Sequence, residues 1–197
     1  DSMWAPYHCY SLGLPPGSFC AVAGDDSGNA WFAGAGLVRF DGSSWTPYNL
    51  YTVPAISGGG ECISIDSNGD RWFAGPGGIQ RWNAAGVTTV STSNSGVPCA
   101  PSGLHELEVG PDGRIWMSAG SRAAVFDGVN WTHYHSDNSP LGQTWIKEIA
   151  IAPDGTVWVA TLAGLAEYHG GQWSVYDSTN SPLLCSRITA VAVDSAG

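Results

Sequence analysis

Short apolar segments alternate with turns rich in glycine and aspartate along the chain, and the alternation has a fixed period. A Gly-x-x-Trp pair occurs four times, with its glycines at Gly28, Gly69, Gly113 and Gly155. A Trp-x-x-Tyr pair also occurs four times, beginning at Trp4, Trp45, Trp131 and Trp173. Successive copies of either pair lie about 42 residues apart, or about twice that distance between Trp45 and Trp131. Both pairs therefore predict a structural repeat of about 42 residues.

Each repeat reads as four short strands joined by turns. The first strand is apolar, as in Ile63-Ser64-Ile65, and an Asp/Gly turn leads from it to a second strand that carries the tryptophan. A glycine-containing turn then precedes the third strand, and the fourth strand holds the Trp-x-x-Tyr pair. Pro47 lies inside one of these fourth strands, and proline is tolerated only at the edge of a sheet. The fourth strand is therefore predicted to be the outer edge.

Four antiparallel strands per repeat, apolar on both faces, are typical of a propeller blade. We therefore predict an all-β fold, a β-propeller of four-stranded antiparallel blades with four complete blades plus parts of a fifth. The predicted blades are approximately 19–49, 61–91, 104–135 and 146–177, and the partial strands are 3–7 and 187–194. The recurring tryptophans then fill the wedges between blades.

The two partial strands are expected to belong to one split blade, but its second and third strands are missing from the sequence. We therefore expect either that the chain is a segment of a longer ring or that another subunit supplies the gap. The total number of blades is left open.

The charge balance argues against several classes of partner. Acidic residues outnumber basic ones by 17 to 7, the net charge is −10, and Lys147 is the single lysine. Such a surface is a poor electrostatic match for nucleic acid or anionic lipid. No stretch approaches the roughly 18 to 20 consecutive apolar residues of a membrane helix. We predict no nucleic-acid partner and no membrane insertion.

The cysteines do not follow a metal-binding pattern. They are Cys9, Cys20, Cys62, Cys99 and Cys185, without CxxC or CxxH spacing, so no metal ion and no other cofactor is predicted. Cys9 with Cys20 and Cys62 with Cys99 are candidate disulfides on one face. The scarcity of lysine and the Ser/Thr/Asn/Gly-rich connections favour a secreted protein, extracellular or periplasmic. A cytosolic protein with buried thiols is the alternative.

Carboxylates occupy repeat positions that elsewhere hold small residues. Glu106 and Glu148 share the position seven residues before a turn glycine, and Glu108 follows two residues after Glu106. Facing the central channel, these glutamates would form a site for a cation, water or sugar hydroxyl groups, and their mutual repulsion would raise at least one pKa. His105 and Lys147 precede them and complete the candidate ligand-binding set. The alternative is an ordinary ion-pair network in which His105 and Lys147 neutralise the glutamates.

The connections from each fourth strand to the next first strand are long and variable, at 49–60, 91–103, 136–145 and 177–186. We call the side of the molecule that carries them the long-connection face. Trp145 lies there and is the one tryptophan without a place in the repeat, since Trp82 ends a third strand where the other repeats have Phe40, Phe126 and Tyr168. Its flat apolar ring is suited to stacking on a sugar, and capping of the adjacent blade is the alternative.

Several motifs resemble a known repeat family. Asn180-Ser181-Pro182-Leu183, residues 188–194 and Gly164-Leu165-Ala166-Glu167-Tyr168 resemble the two-component-regulator propeller repeat, and the resemblance covers residues 4–194. It implies a propeller, often seven-bladed, of the kind found in sensor ectodomains and secreted proteins. Residues 69–74 and 78–82 are also similar to streptogramin-lyase-like propellers. The catalytic histidine and lysine pair of that family has no counterpart here, so its activity is not carried over.

These observations together predict a non-catalytic extracytoplasmic β-propeller that binds a glycan or a protein partner through its long-connection face. Two alternatives stay open. The first is a structural subunit that assembles into a homo-oligomeric ring or filament through incomplete terminal strands. The second is a lyase or hydrolase that acts at the channel mouth through Glu106, Glu148, His105 and Lys147.

Overall fold

The computed structural model describes residues 19–34, 36–48, 53, 62–75, 78–90, 106–141 and 144–194. Over these ranges the chain forms sixteen strands, arranged as four antiparallel sheets of four strands each, and no helix. Within every sheet the strands lie in sequence order, because each connection inside a sheet is a hairpin. The prediction of an all-β propeller built from four-stranded blades is confirmed.

The four sheets are numbered as blades in chain order. Blade 1 contains β1 (Phe19–Gly24), β2 (Ala30–Gly34), β3 (Leu37–Phe40) and β4 (Trp45–Tyr48). Blade 2 contains β5 (Cys62–Ile65), β6 (Arg71–Gly75), β7 (Gly78–Asn83) and β8 (Gly86–Val90). Blade 3 contains β9 (Glu106–Val109), β10 (Ile115–Ala119), β11 (Arg122–Phe126) and β12 (Trp131–Tyr134). Blade 4 contains β13 (Ile146–Ile151), β14 (Val157–Thr161), β15 (Gly164–His169) and β16 (Gln172–Tyr176).

The first strands of the blades form the inner wall of the molecule. β1 contacts β5, β5 contacts β9, and β9 contacts β13, so the blades follow one another around a common axis. The fourth strand of each blade is an edge of its sheet. Pro47 of β4 lies opposite Val38 of β3. Because no further strand of the blade lies outside β4, proline, which has no N–H, is tolerated at this edge. The predicted outer position of the fourth strand is confirmed.

Aromatic side chains fill the spaces between blades. Trp31, Trp72 and Trp116 are 2%, 8% and 3% exposed, and each belongs to an apolar cluster shared with the next blade. Trp116 stacks on Tyr134 of its own blade with ring centroids 5.5 Å apart, and its centroid lies 5.2 Å from that of Tyr168 in blade 4. The prediction that the patterned tryptophans are structural therefore holds at these three positions.

Two of these tryptophans are also fixed by hydrogen bonds. The Trp31 indole Nε1 donates to Asp25 Oδ2 at 2.9 Å, and the Trp72 Nε1 donates to Asp66 Oδ2 at 3.0 Å. Burial raises the pKa of Asp25, but its hydrogen bonds outweigh burial and lower the pKa to about 2. The turn aspartate thus ties the hairpin to the aromatic core of blades 1 and 2.

The segment after blade 4 follows the inner wall without forming a strand of its own. The Ile188 N–H donates to the Thr161 carbonyl at 2.9 Å, as the Ile146 N–H donates to the Gly120 carbonyl at 2.9 Å one repeat earlier. Residues 187–194 were predicted as an inner strand, but no strand is assigned there, because no second strand of the described ranges pairs with them. The other predicted partial strand, 3–7, lies outside the described residues.

Candidate functional site

Three glutamates lie at the start of two neighbouring inner strands. Glu106 is the first residue of β9 and Glu108 follows two residues later, so both side chains lie on the same face of the strand. Glu148 is the third residue of β13 in the next blade. We call Glu106, Glu108 and Glu148 the acidic site. It lies near the end of the sheets where the connections of the long-connection face enter the inner strands.

A β-bulge changes the direction of Lys147. The register of β13 with β14 shifts between Ile146 and Glu148, and Lys147 is exposed. Its Nζ lies 5.9 Å from the ring centroid of Trp145. Among the described residues Lys147 forms no ion pair with the acidic site, and its role in ligand binding or in neutralising the glutamates stays a prediction. His105 lies outside the described residues, and its role stays a prediction.

The three carboxylates differ in their hydrogen bonds. The Ser64 hydroxyl of blade 2 donates to Glu108 Oε2 at 3.0 Å, and the Val191 N–H donates to Glu148 Oε2 at 2.7 Å. These bonds cross from one blade or segment to the next, so Glu108 and Glu148 help to join the inner wall. Glu106 has no hydrogen-bond donor within the described part of the chain. Of the three carboxyl groups it is the one that forms no hydrogen bond with another described residue.

The electrostatics of the site follow from this difference. Burial, followed by repulsion from Glu148 and Glu108, raises the pKa of Glu106 to about 7. Burial also raises the pKa of Glu108, although the bond from Ser64 opposes the shift. The sequence predicts that repulsion among these glutamates raises at least one pKa. The pKa is raised at both Glu106 and Glu108. Glu106 consequently changes charge near neutral pH.

Ser118 is a residue of this region that sequence reasoning missed. It lies directly opposite Glu106 in the ladder between β10 and β9. Its side chain is fully buried, and its Oγ has no hydrogen-bond partner among the residues that the structure describes. The available signal was the repeat itself, because the equivalent position, two residues after the tryptophan, is alanine in the three other blades. A buried hydroxyl beside an unbonded carboxyl increases the polarity of the inner wall at this point.

Trp145 immediately precedes β13 on the long-connection face. The backbone bond from Ile146 to Gly120 anchors the chain beside the connection between β10 and β11 in blade 3. The side chain of Trp145 is 47% exposed. This exposure leaves room for the predicted stacking on a ligand, and the capping interpretation also stays open.

The disulfide predictions fall largely outside the described structure. Cys9, Cys99 and the side chain of Cys20 are not among the described residues, whereas Cys62 is 3% exposed in the apolar cluster between blades 2 and 3. Both pairings stay predictions. Within the described ranges, no group of three or more His, Cys, Asp and Glu residues has a geometry that could hold a metal ion. Over the same part of the chain, no helix is long and apolar enough to cross a membrane.

Sequence comparisons give no relatives. No family model matches the chain. No curated protein matches it either.

Comparison with solved structures does find similar folds. The chain is 18% identical to virginiamycin B lyase from Staphylococcus aureus, with a TM-score of 0.63 over 89% of this chain and 59% of the lyase. It is 20% identical to the extracellular domain of a candidate one-component system from Bacteroides thetaiotaomicron, with a TM-score of 0.60 over 84% of this chain and 23% of that one. PorZ, a bacterial surface component of the type-IX secretion system of Porphyromonas gingivalis, is 18% identical with a TM-score of 0.62 over 88% of this chain and 29% of PorZ.

These neighbours confirm the propeller resemblance at the level of fold. They include a streptogramin lyase and an extracellular domain of a bacterial regulator, the two kinds of propeller that the repeat motifs resemble. The chain spans less than two thirds of the length of each of the three. At identities of 20% or less they show the architecture, and the activity of the chain has to be argued from its own residues.

Proposed function

We propose that this chain is a non-catalytic, extracytoplasmic β-propeller that binds a ligand, a glycan or a protein partner, through its long-connection face. In this proposal the acidic site is the centre of the binding surface and Trp145 lies at its rim. The observation that carries the proposal is Glu106, a partly buried carboxyl without a hydrogen-bond donor in the described structure and with a pKa raised to about 7.

The chemistry of the acidic site favours ligands that supply donors. A partly desolvated carboxylate gains most from an ammonium, a guanidinium or a hydroxyl group, because each replaces hydrogen bonds that water no longer provides. Anionic ligands are disfavoured by the three glutamates and by the net charge of −10. A sugar hydroxyl or a basic side chain of a protein therefore fits best, with the Trp145 ring available for an apolar ligand face.

A binding role fits the hydrogen bonds better than a catalytic one. Glu108 and Glu148 are held by donors from neighbouring segments, which fixes them as structural and binding groups. A general acid and base pair requires two groups that are free to exchange protons with a substrate. Only Glu106 meets that condition among the three. The lyase or hydrolase alternative is tested by the same variants, with turnover as the readout.

The extracytoplasmic location is part of the proposal. Two of the structural neighbours are an extracellular domain and a bacterial surface component. The scarcity of lysine and the polar connections point the same way. Localisation of the natural protein by fractionation tests this point, and recovery in the cytosol alone would contradict it.

Binding is tested with an immobilised panel of glycans and basic peptides, probed with the wild-type chain at pH 6 and pH 8. We expect at least one ligand class to bind, and the double variant Glu106→Gln/Glu148→Gln to bind about tenfold or more weakly. Asp26→Asn/Asp127→Asn is the matched control, because both residues are exposed in turns at the opposite end of the sheets from the long-connection face, and the change removes the same number of carboxylates there. Equal binding by the wild type and the double variant would exclude the acidic site.

The structural-subunit alternative has an observation of its own. Trp158 of blade 4 is only partly buried, whereas its counterparts Trp31, Trp72 and Trp116 are covered by the next blade. This face of blade 4 is suited to packing against another sheet. Sedimentation velocity over a range of concentrations tests it: concentration-dependent association that Trp158→Ser abolishes supports assembly, and a monomer throughout contradicts it.

A further inference from the structure

A second candidate binding site lies on the opposite side of the molecule from the acidic site. A cavity of about 660 Å³ opens between blades 3 and 4, where the turns between first and second strands protrude. Pro111, Asp112 and Arg114 of blade 3 line one wall, and Pro153, Asp154 and Tyr168 of blade 4 line the other. We call this cavity the turn groove. Its volume lies in the range of about 300 to 1,000 Å³ that is usual for small-molecule sites.

The groove owes its polar lining to a change in turn chemistry between the two halves of the chain. In blades 1 and 2 the turn aspartate lies three residues before the glycine and accepts the tryptophan indole N–H. In blades 3 and 4 that position holds Gly110 and Ala152, and the aspartate has moved to the residue just before the glycine. There Asp112 and Asp154 each bond to the backbone N–H two residues ahead and line the groove instead of the core.

The charged groups of the groove are arranged as a mixed donor and acceptor surface. Arg114 Nε lies 3.5 Å from Asp112 Oδ2, and their side chains are 52% and 54% exposed. Hydrogen bonds from Thr156 lower the pKa of Asp154, so this carboxylate is charged at neutral pH. The groove therefore presents one guanidinium and two carboxylates, with both kinds of group open to solvent.

The walls between these charges are apolar and shaped by fixed rings. Pro111 and Pro153 flank the two turns, and Tyr168 is held by a hydrogen bond from the Tyr134 hydroxyl at 3.1 Å and by its contact with Trp116. Rigid rings lose little conformational entropy when a ligand packs on them. The groove thus combines preformed apolar walls with polar groups at its rim.

From this lining we infer that the turn groove binds a neutral oligosaccharide. An anion would meet Asp112 and Asp154 as well as Arg114, and a cation would meet Arg114 as well as the two aspartates, so a ligand with one kind of charge meets a like charge beside an opposite one. A neutral polyol needs acceptors and donors side by side for its hydroxyl groups and an apolar surface for its C–H faces. The turn groove supplies both. This site is independent of the acidic site, and neither proposal requires the other.

The side chain of Arg114 offers a direct measurement. The chain has six arginines, so its Nε–H signals form a short, resolvable set in a ¹H–¹⁵N NMR spectrum. The probes are neutral hexasaccharides of β-1,4-glucose, β-1,3-glucose, α-1,4-glucose, β-1,4-xylose and β-1,4-mannose. We expect at least one of them to shift the Arg114 signal in a saturable way. Arg39 and Arg81, which pair with aspartates in blades 1 and 2, serve as internal references and should not move.

Variants separate the two sites. Asp112→Asn and Arg114→Gln should each weaken binding of the active hexasaccharide by about tenfold, because each removes a charged hydrogen-bonding group. The acidic-site variant Glu106→Gln and the control Asp26→Asn, in an exposed turn of blade 1, should leave that affinity unchanged. A panel that leaves the Arg114 signal unmoved overturns the proposal. So does a hexasaccharide whose binding Glu106→Gln removes, or a larger Arg114 shift with oligolysine or polyphosphate than with every neutral sugar.

Discussion

Glu106 is the residue on which the proposed function rests, and its environment differs from that of its neighbours in a simple way. Glu108 and Glu148 receive hydrogen bonds from other segments of the inner wall, whereas Glu106 receives none in the described structure. The unfavourable effects of burial and repulsion are therefore not offset at this position. A ligand that supplies a donor would offset them.

The raised pKa predicts how a Glu106→Gln variant behaves. In the folded protein the pKa of Glu106 is about 7, above its ordinary value of 4.5. The protonated side chain therefore stabilises the fold, and its contribution is complete below pH 4.5 and is lost as the pH rises through 7. The neutral amide has no such loss. We expect the variant to be more stable than the wild type by about 1 to 2 kcal/mol at pH 8, allowing for solvent screening, and equal to it near pH 4.

Urea denaturation at pH 4, 6 and 8 checks this expectation. Asp26→Asn, which removes an exposed carboxylate in the turn between β1 and β2, is the control and should unfold as the wild type does at each pH. Parallel pH profiles for the wild type and Glu106→Gln would show that Glu106 has an ordinary pKa.

At the residue scale the sequence predicted part of the acidic site. Glu106, Glu108 and Glu148 were found because the repeat aligns them with small residues, and their electrostatic coupling followed from that register. The bulge that exposes Lys147 was not foreseen, because a one-residue register shift leaves no mark in a short strand. The bonds from Ser64 and Val191 depend on how far adjacent blades are rotated, which a linear pattern does not contain.

At the element scale the turns distinguish the first two blades from the last two. Where the aspartate precedes the glycine by three residues, it accepts an indole N–H and belongs to the hairpin core. Where it precedes the glycine by one residue, it lines the turn groove. The turn aspartate thus has a structural role in blades 1 and 2 and, two residues further along the turn, a proposed binding role in blades 3 and 4.

This contrast predicts that replacing the turn aspartate by alanine lowers the free energy of unfolding more in blade 2 than in blade 3. Asp66→Ala leaves the largely buried indole N–H of Trp72 without its acceptor, and we expect a loss of about 1 to 3 kcal/mol. Asp112→Ala removes a half-exposed side chain without an indole partner, and we expect a change of about 0.5 kcal/mol or less. Thermal unfolding of both variants measures the difference. Equal losses would mean that the indole bond is not what secures the turn.

Gly164 of β15 lies where the backbone of the neighbouring strand β16 approaches closely. Gly164 has a φ of +149°, and a Cβ added there would lie 2.7 Å from the Tyr176 carbonyl oxygen. We expect Gly164→Ala to destabilise the fold by about 2 to 3 kcal/mol. Gly24→Ala is the matched control, since nothing lies within 4 Å of its added Cβ, and it should be close to neutral. Chemical denaturation measures the free energy of unfolding of both variants. An unchanged value for Gly164→Ala would contradict the close approach of β16 to this glycine.

The strands themselves were the most predictable elements. Four strands per repeat, their order within a blade and the outer position of the fourth strand all follow from period-two apolar patterns, turn residues and one proline. The segment 187–194 was less predictable. Its sequence repeats that of an inner strand, but strand formation also requires a ladder partner, and local sequence cannot show whether one is present.

At the scale of the whole molecule, stability comes from the wedges between blades. Trp116, Tyr134, Tyr168 and Trp173 form one continuous aromatic cluster that joins blade 3 to blade 4. The repeat predicted such clusters because the same slots recur in successive blades. This packing also sets the rotation between neighbouring blades, and with it the positions of the acidic site at one end and the turn groove at the other.

Two tryptophans therefore respond differently to truncation. Trp116→Ala removes a 3% exposed ring from an interblade wedge, and we expect a loss of about 3 to 5 kcal/mol. Trp145→Ala removes a ring that is 47% exposed, and we expect a loss of about 1 kcal/mol or less together with weaker ligand binding. Calorimetry measures both. A large destabilisation by Trp145→Ala would favour the capping interpretation of this residue over stacking.

The most direct test of the proposed function needs no knowledge of the ligand. The chain has five glutamates, so ¹³C labelling of their carboxyl groups gives a simple spectrum, in which the Glu106 signal is the one that Glu106→Gln removes. The account predicts that this signal titrates with a midpoint near 7, as expected for a partly buried carboxyl without a donor among the described residues. A midpoint near the ordinary value of 4.5 would mean that Glu106 is well solvated or already hydrogen-bonded, and would contradict its role as the open group of a binding site.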